Sequence, residues 1–289
     1  NTAWYSGWGD GSLGKVSISI WSRAHPFRCG ALDSQLLLHE ITHSMTTRMV
    51  GDGFGLSTTQ SRGLGEGWSD FIPLALLSKA SDAPDGCYPF ASYAATYDDT
   101  PSHFYYGVRR FPYSTDTNHA PQTLADIDPN QKQFPPSVPS NPNFGLSTSA
   151  ADQIHNIGEV WCLMLWECRA NLIARHGYAG NDIMMGLVVD ALKLTPENPS
   201  FEEARDAVLQ ADLVSHGGAN QVDLWRGFAK RGLGYGAVVP GSVATAGIEE
   251  SFALPFGVDV VVSETVGDGD GWLEPGESGE LVVVLESVE

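Results

Sequence analysis

The chain has 289 residues, and 35 acidic against 16 basic side chains give it a formal net charge of −19. This excess of negative charge repels polyanions, which excludes nucleic acid and anionic membrane surfaces as partners. No apolar run is long enough for a transmembrane helix, so we expect a soluble protein that works outside the cell. The first residue is Asn1 rather than Met, which indicates a processed form or a segment of a longer protein.

The predicted elements begin with a pair of strands and continue with a pair of helices. Apolar and polar side chains alternate from Lys15 to Trp21, so residues 1–32 predict edge strands joined by a turn. Residues 33–81 are then predicted to be mostly helical, with Asp33 as the N-cap of the first helix. The two helices predicted there run from Leu36 to Val50 and, after a Gly/Ser/Thr loop, onward from about Leu64.

The remaining elements predict a mostly helical continuation and a β-rich end. Residues 82–148 are rich in Pro, Tyr, Asp and Asn and predict a long irregular region that carries binding loops. Residues 149–235 predict a helical subdomain, 236–254 a linker, and 255–289 the start of a β-sandwich-like module. The subdomain's helices are expected at Ala150–His176, at Asn181–Leu194, after a capping box of Ser200 and Glu203, and at Asn220–Arg231.

The strongest chemical signal is the segment His39-Glu40-Ile41-Thr42-His43. Residues four apart share one face of a helix, with Cβ atoms about 5–6 Å apart, so both imidazoles can bind one Zn²⁺ ion. Glu40 lies beside them, where it can reach a metal-bound water without ligating the metal. The alternative is a pair of ordinary surface histidines on a helix.

A catalytic zinc needs a third protein ligand, and Glu66 at the start of the next helix can supply it. Asp70 follows one turn later and is placed to accept the second N–H of His39 or His43. The alternative for Glu66 is an acid that the helix macrodipole stabilises. His155 is a candidate to stabilise a tetrahedral oxyanion, although a lone histidine among apolar neighbours is more often a core residue.

These motifs resemble those of the fungalysin family of metalloendopeptidases, which have the thermolysin-like architecture. The resemblance covers residues 1–235 and implies a peptidase domain of the α+β class over that range. The matching segments, in the family's order, are Leu32-Asp33 before the histidine motif, Gly65-Glu66-Gly67-Trp68-Ser69-Asp70-Phe71, Gly107-Val108-Arg109, Pro112-Tyr113-Ser114-Thr115-Asp116 and His155-x-Ile157-Gly158-Glu159-Val160-Trp161.

The resemblance implies a role for each matching residue of the metal site. It implies that His39, His43 and Glu66 bind zinc. It implies that Glu40 is the general base and that Asp70 is the carboxylate partner of a ligand imidazole.

The resemblance also implies how substrate is held. His155 looks like the histidine that stabilises the transition state, and Arg109 looks like the arginine that holds a substrate carbonyl. Thr2 and Ala3 fall in a segment that looks like the edge strand that pairs with the substrate backbone.

The sequence departs from the family pattern at three places. Residues 52–65 contain no tyrosine, so Tyr105, Tyr106 or Tyr113 would have to take the place of the family's oxyanion-binding tyrosine. Thr2 stands where related enzymes often have Asn. The sequence also starts at the edge strand, after the β-rich region and the propeptide that the family carries, and we expect that propeptide to be an inhibitory partner.

The resulting hypothesis is a secreted, monomeric zinc endopeptidase that hydrolyses internal peptide bonds of protein or peptide substrates. One alternative is an inactive or zinc-stabilised binding homologue, which would usually have lost Glu40. The other is a metallo-aminopeptidase, which would need an acidic site for a free α-amine. Asp268, Asp270 and Glu277 are candidates for a calcium site, and the alternative is a turn in a β-sandwich linker.

The four cysteines leave the redox question open. Cys29 and Cys87 can form a disulfide or remain free thiols. Cys162 and Cys168 share one predicted helix and are about 9 Å apart along its axis, too far to bridge.

Overall fold

The computed structural model describes residues 3–7, 11–22, 26–95, 103–131, 134–135, 137–143, 150–266 and 278–287. The chain divides into two compact units, Asn1–Phe252 and Ala253–Glu289. Within the described ranges, no helix has the length and apolar character needed to cross a membrane.

The first unit is mostly helical with a few short strands, which confirms the predicted α+β class. Its strands are β1 (Ala3–Ser6), β2 (Lys15–Ile18), β3 (Ile20–Trp21) and β4 (Arg28–Cys29). Its helices are α1 (Ser34–Met49), α2 (Thr59–Leu77), α3 (His103–Tyr106), α4 (Ile154–His176), α5 (Ala179–Leu194), α6 (Phe201–His216) and α7 (Gln221–Lys230).

The strands form two antiparallel pairs, β1 with β2 and β3 with β4. In the first pair Ala3 lies opposite Ile18 and Tyr5 opposite Val16. Ala3 and Tyr5 are half-buried while Trp4 between them is exposed, as strand alternation requires. Strand β1 pairs with β2 alone among the described strands, so its other side is an edge.

Local capping explains where the first two helices begin. The side chain of Asp33 accepts the backbone N–H groups of Gln35 and Leu36, which confirms the predicted N-cap of α1. Helix α2 begins at Thr59, before the predicted start at Leu64, because Thr58 and a serine three residues later form a capping box.

The glycines near the start of α2 allow it to pack closely against α4. A Cβ atom on Gly63 would lie 2.2 Å from a methyl carbon of Ile157, and one on Gly67 would lie 2.7 Å from the carbonyl oxygen of Gly158. Glycine lowers helix propensity, and this is why the sequence favours a loop here. The gain from close packing against α4 outweighs that cost.

Helix α4 is the central helix of the helical lobe, residues 149–235, and lies against α2, α5 and α7. Trp161 on α4 packs against Trp68 of α2, Phe201 of α6 and Phe228 of α7, with ring centroids 5.5 to 5.9 Å apart. The predicted helices of this lobe are all present, and the capping box of Ser200 with Glu203 is confirmed.

Buried arginines fasten the irregular region to α4. Arg110 donates its backbone N–H and its Nε to Glu159, at 2.8 and 2.7 Å. Arg231 donates Nε and Nη2 to Glu167, at 2.9 and 2.6 Å, and also binds backbone carbonyls in the region, among them that of Ser114. These two ion pairs, with Glu159, Glu167, Arg110 and Arg231, are called the arginine network below.

The second unit contains an antiparallel pair, β5 (Phe256–Val266) and β6 (Ser278–Ser287), with Val261 opposite Val282. The predicted calcium ligands Asp268, Asp270 and Glu277 lie outside the described residues.

All four cysteines are free thiols. Cys29 is exposed, Cys87 is half-buried, and Cys162 and Cys168 are fully buried.

Candidate metal centre

The two histidines of α1 point their Nε2 atoms at the same place. His39 and His43 lie one turn apart on one face, and their Nε2 atoms are 3.0 Å apart. The ring planes are nearly perpendicular, with centroids 4.6 Å apart. Two acceptor nitrogens can approach this closely when they share a proton or when both face one cation.

Glu66 of α2 completes a group of three side chains that could hold one metal ion. Its Oε2 lies 3.3 Å from His39 Nε2, and its Oε1 lies 3.6 Å from His43 Nε2. Tetrahedral ligands at 2.0–2.1 Å from zinc are about 3.3 to 3.4 Å from one another, so the three side chains fit one ion. Glu66 Oε2 is also buried; His39 Nε2 at 3.3 Å and His155 Nε2 at 3.5 Å lie near it without forming a well-directed hydrogen bond, which leaves this oxygen available to a metal.

The outer nitrogens of both histidines have polar neighbours. His39 Nδ1 lies 2.8 Å from Asp70 Oδ1, and His43 Nδ1 lies 3.1 Å from the hydroxyl of Ser69. The structure therefore places Asp70 beside His39, one of the two expected partners. Ser69 has no motif of its own in the sequence, and its position beside His43 follows from lying next to Asp70 on α2.

Asp70 is buried at the centre of a charged cluster. It accepts Arg109 Nε and Nη2, each at 2.6 Å, and also the hydroxyl of Tyr113. Burial alone would raise the pKa of Asp70, but Arg109 and His39 hold it well below its usual range. Burial would lower the pKa of His39, yet Asp70 and Glu66 raise it to about 9 in the metal-free site. A metal would therefore compete with a proton at His39.

Arg109 is buried behind the side chains of the candidate metal site. Its Nε and Nη2 both donate to Asp70, and only 6% of its surface is exposed. Tyr113 is likewise engaged by Asp70, and Tyr105 contacts His119 Nδ1 at 2.8 Å. Tyr106 is buried.

A cavity of about 350 Å³ opens over the three ligands. The residues that line it are Ala3, Trp4, Tyr5, His39, Glu40, His43, Thr47, Glu66 and His155. Glu40, His155 and Ala3 are thus brought to one place, with β1 as a wall. None of the three tyrosines proposed for the oxyanion is part of this lining, as far as the structure describes it, and Thr2 lies outside the described residues.

Glu40 and His155 both line this cavity, and burial shifts the pKa of each. Burial raises the pKa of Glu40, and the nearby positive charge of His39 and His43 offsets this only in part. Desolvation lowers the pKa of His155, so its imidazole is neutral at pH 7. His155 Nε2 lies 3.5 Å from Glu66 Oε2.

Gln153 determines which nitrogen of His155 carries the proton. Its Oε1 accepts the backbone N–H groups of His155 and Asn156, at 2.8 and 3.2 Å, and this fixes the orientation of the amide. Its Nε2 therefore donates to His155 Nδ1, at 2.7 Å. The proton of the neutral ring then sits on Nε2, the nitrogen near Glu66.

Arg48 joins the edge strand to α1. Its Nη1 donates to the hydroxyl of Tyr5 at 2.8 Å and to the carbonyl of Ser44 at 2.9 Å, and its Nη2 donates to the carbonyl of Ser12 at 3.2 Å. Neither Arg48 nor Tyr5 belongs to a recognised motif. The sequence signal for Tyr5 is its spacing of two from Ala3, which puts both on one face of β1.

Comparison with known proteins identifies the family. The family model described as Fungalysin metallopeptidase (M36) matches residues 1–237. The extracellular metalloproteinases MEP of Neosartorya fischeri and mep of Aspergillus niger are 34% and 36% identical over 79% of the chain. The extracellular metalloproteinase MEP of Pyricularia oryzae is 34% identical over 86% of it. The chain spans 34% of the length of the first two relatives and 37% of the third.

The family match agrees with the geometry of the site. A metallopeptidase family implies a bound metal, and His39, His43 and Glu66 form a group that can hold one. The match also confirms the resemblance inferred from the motifs and supports the thermolysin-like fold. The chain therefore belongs to the fungalysin metallopeptidase family.

Proposed function

We propose that the protein is a secreted zinc endopeptidase that hydrolyses internal peptide bonds, with Glu40 as general base. The observation that carries the proposal is the convergence of His39, His43 and Glu66 beneath a cavity that Glu40 and His155 also line. The names of the relatives, extracellular metalloproteinases, support both secretion and proteolysis.

Zinc suits this ligand set better than the other common divalent cations. Two imidazoles and one carboxylate are a typical set for catalytic zinc, whereas calcium prefers six to eight oxygen ligands. When bound, zinc would polarise the scissile carbonyl and lower the pKa of a water molecule in its open position.

Glu40 is the residue that moves protons in this proposal. Its carboxylate accepts a proton from the attacking water and passes it to the nitrogen of the leaving amine. The raised pKa of Glu40 makes it a stronger base than an exposed glutamate, because burial disfavours its charged form.

His155 is the donor to the developing oxyanion. Since Gln153 holds the neutral ring with its proton on Nε2, that N–H is available to the carbonyl oxygen as it becomes charged. The donor is oriented before the reaction begins, so no reorganisation is needed when the charge appears.

The free edge of β1 is the proposed binding site for an extended peptide. Ala3 lies on this edge and lines the cavity, so the backbone of a substrate can add to β1 as a further strand. Arg109 Nη1 and Thr2 are proposed to add contacts to the substrate. The protein's own propeptide is proposed as an inhibitory partner of the same cleft, and the folded protein as a monomer.

Replacing Glu40 tests the proposal. Glu40→Gln removes the base but none of the proposed metal ligands, so purified protein should retain one zinc and lose hydrolysis of casein. Digestion of an N-terminally blocked peptide distinguishes the two activities, because an endopeptidase cleaves it and an aminopeptidase leaves it intact. Normal casein hydrolysis by Glu40→Gln would rule out the proposed mechanism, and absence of activity in the unchanged, zinc-loaded protein would favour a binding homologue.

A further inference from the structure

A second cavity lies at the other end of the α2–α4 pair, where both helices terminate. Its volume is about 220 Å³. Its lining includes Ser78, Tyr88, Trp166, Arg169, Ile173 and Tyr178. None of these residues lines the cavity over the metal centre, so the two cavities are separate.

Arg169 brings a buried positive charge to this second cavity. Only 7% of its surface is exposed. Its Nε donates to Asn181 Oδ1 at 2.6 Å, its Nη2 donates to the hydroxyl of Ser78 at 2.8 Å, and its guanidinium lies 4.2 Å above the ring of Trp166. All three partners are electrically neutral. A further hydrogen bond joins Arg169 to the side chain of Tyr178, which is neutral as well.

The other buried arginines have a carboxylate partner, and Arg169 differs from all of them. The shortest arginine-to-carboxylate distances are 2.6 Å for Arg109, 2.7 Å for Arg110, 2.8 Å for Arg205 and 2.6 Å for Arg231. Within the described ranges, no carboxylate lies at ion-pair distance from Arg169. Burying a cation without a counter-ion is unfavourable, so an anion in the cavity would be favoured.

The remaining charges around the cavity do not neutralise Arg169. Lys79 and Asp82 also line it, one basic and one acidic, so the lining has a net positive charge. Asp82 Oδ2 already accepts the backbone N–H of Lys79 at 2.7 Å. Burial lowers the pKa of Arg169, and Tyr178, Tyr88 and Asp82 oppose this only in part.

The rest of the lining is apolar and aromatic. The rings of Tyr88 and Trp166 are 5.5 Å apart and form one wall. Ala170 and Ile173 belong to the wall that α4 contributes. A ligand that uses the whole cavity therefore needs a negative group at one end and an apolar body at the other.

We propose that this cavity binds a small carboxylate with an apolar body. The carboxylate pairs with Arg169, and the body lies against Trp166 and Tyr88. A free aromatic acid and the C-terminus of a peptide that ends in an apolar residue share this chemistry. The proposal concerns binding alone and does not depend on the proposed peptidase activity.

Calorimetric titration of the zinc-loaded chain tests the proposal. The probes are 3-phenylpropionate for the free acid and N-acetylphenylalanine for the peptide C-terminus, each compared with its uncharged amide. We expect millimolar or tighter binding of at least one acid, and binding at least about tenfold weaker for its amide, a difference of ~1.4 kcal/mol. The acid that binds more tightly identifies the source of the ligand.

Three variants locate the binding, which is necessary because carboxylates also bind zinc. Arg169→Gln should reduce the affinity for the acid to that for the amide. Ala170→Phe fills the cavity, keeps Arg169, and should abolish binding even if Arg169→Gln fails to fold. Arg175→Gln is the matched control, since Arg175 lies on the same helix but pairs with Asp223 at 3.0 Å, and it should bind as the unchanged chain does.

Equal affinities for acid and amide would overturn the proposal, as would undiminished binding by Ala170→Phe. The absence of binding by either acid at millimolar concentration would overturn it as well.

Discussion

The carboxylates of α2 and those of α4 are all buried, and the two sets differ in whether every oxygen accepts a hydrogen bond. In the arginine network, both oxygens of Glu159 accept hydrogen bonds from buried Arg110, while Glu167 accepts from buried Arg231 and from the exposed Lys230. In the candidate metal centre, Asp70 is equally well satisfied, but Glu66 Oε2 is buried with only the longer approaches of His39 Nε2 at 3.3 Å and His155 Nε2 at 3.5 Å and no well-directed hydrogen bond.

This difference distinguishes carboxylates that stabilise the fold from a carboxylate that can bind a ligand. A buried carboxylate with all its bonds made is costly to disturb and has no capacity left for an ion. A buried oxygen without a donor is costly to keep, and the fold tolerates it where a metal supplies the missing interaction. Both kinds of charge are needed here, since the arginine network fixes the loops that bring Arg109 and Tyr113 behind the metal ligands.

Replacing Glu66 has the largest expected effect on activity. Glu66→Gln removes one of three zinc ligands, so hydrolysis should fall by about a thousandfold or more. Zinc at a thousand times its dissociation constant should stabilise the unchanged chain by ~4 kcal/mol but leave the variant unaffected. Thermal unfolding with and without zinc measures this, with the exposed Glu197→Gln as control. Equal stabilisation of both proteins by zinc would show that Glu66 is not a ligand.

Replacing Arg231 should give the largest loss of stability. Arg231→Met leaves Glu167 buried without its closest partner, so the free energy of unfolding should fall by about 3 to 5 kcal/mol. The control is Arg175→Met, which breaks a half-exposed ion pair and should cost about 1 kcal/mol or less. Urea denaturation measures both. If the two variants lose the same stability, the arginine network does not hold the fold as we infer.

The parts of the fold that depend on neighbours in sequence were predictable, and those that depend on distant contacts were not. Asp33 as an N-cap and Ser200 with Glu203 as a capping box act within one helical turn, so the sequence shows them directly. The start of α2 was predicted too late because the glycines that permit close packing on α4 look like loop residues until Ile157 is placed against them.

The same division applies to the candidate site. The spacing of His39 and His43 is local, and Glu66 follows on the next helix, so all three were accessible from motifs. The bonds from Arg109 to Asp70 join residues 39 apart and appear only in the folded chain. Gln153 was missed because its contact with His155 Nδ1 depends on the geometry of the first turn of α4.

Replacing Gln153 tests whether its hydrogen bond to His155 positions the proposed oxyanion donor. Gln153→Met removes the bond to His155 Nδ1, so kcat should fall by about tenfold while KM is unchanged, because the donor acts mainly in the transition state. Stability should fall by about 1 kcal/mol through loss of the N-cap. Steady-state kinetics and thermal unfolding separate the two effects. A loss of stability with unchanged kcat would mean that Gln153 acts only as a cap.

The smallest effect is expected at Tyr5, which lines the cavity over the candidate metal centre and whose hydroxyl accepts a hydrogen bond from Arg48. Tyr5→Phe loosens β1 on α1, so KM for a peptide substrate should rise about two- to fivefold, or ~0.5 to 1 kcal/mol, with kcat and zinc affinity unchanged. Tyr235→Phe, at an exposed tyrosine, is the control. A fall in kcat at constant KM would instead assign this hydroxyl to the oxyanion. Tyr5 would then take the place of the oxyanion-binding tyrosine that residues 52–65 lack. Arg48 would in that case position a residue that takes part in the reaction.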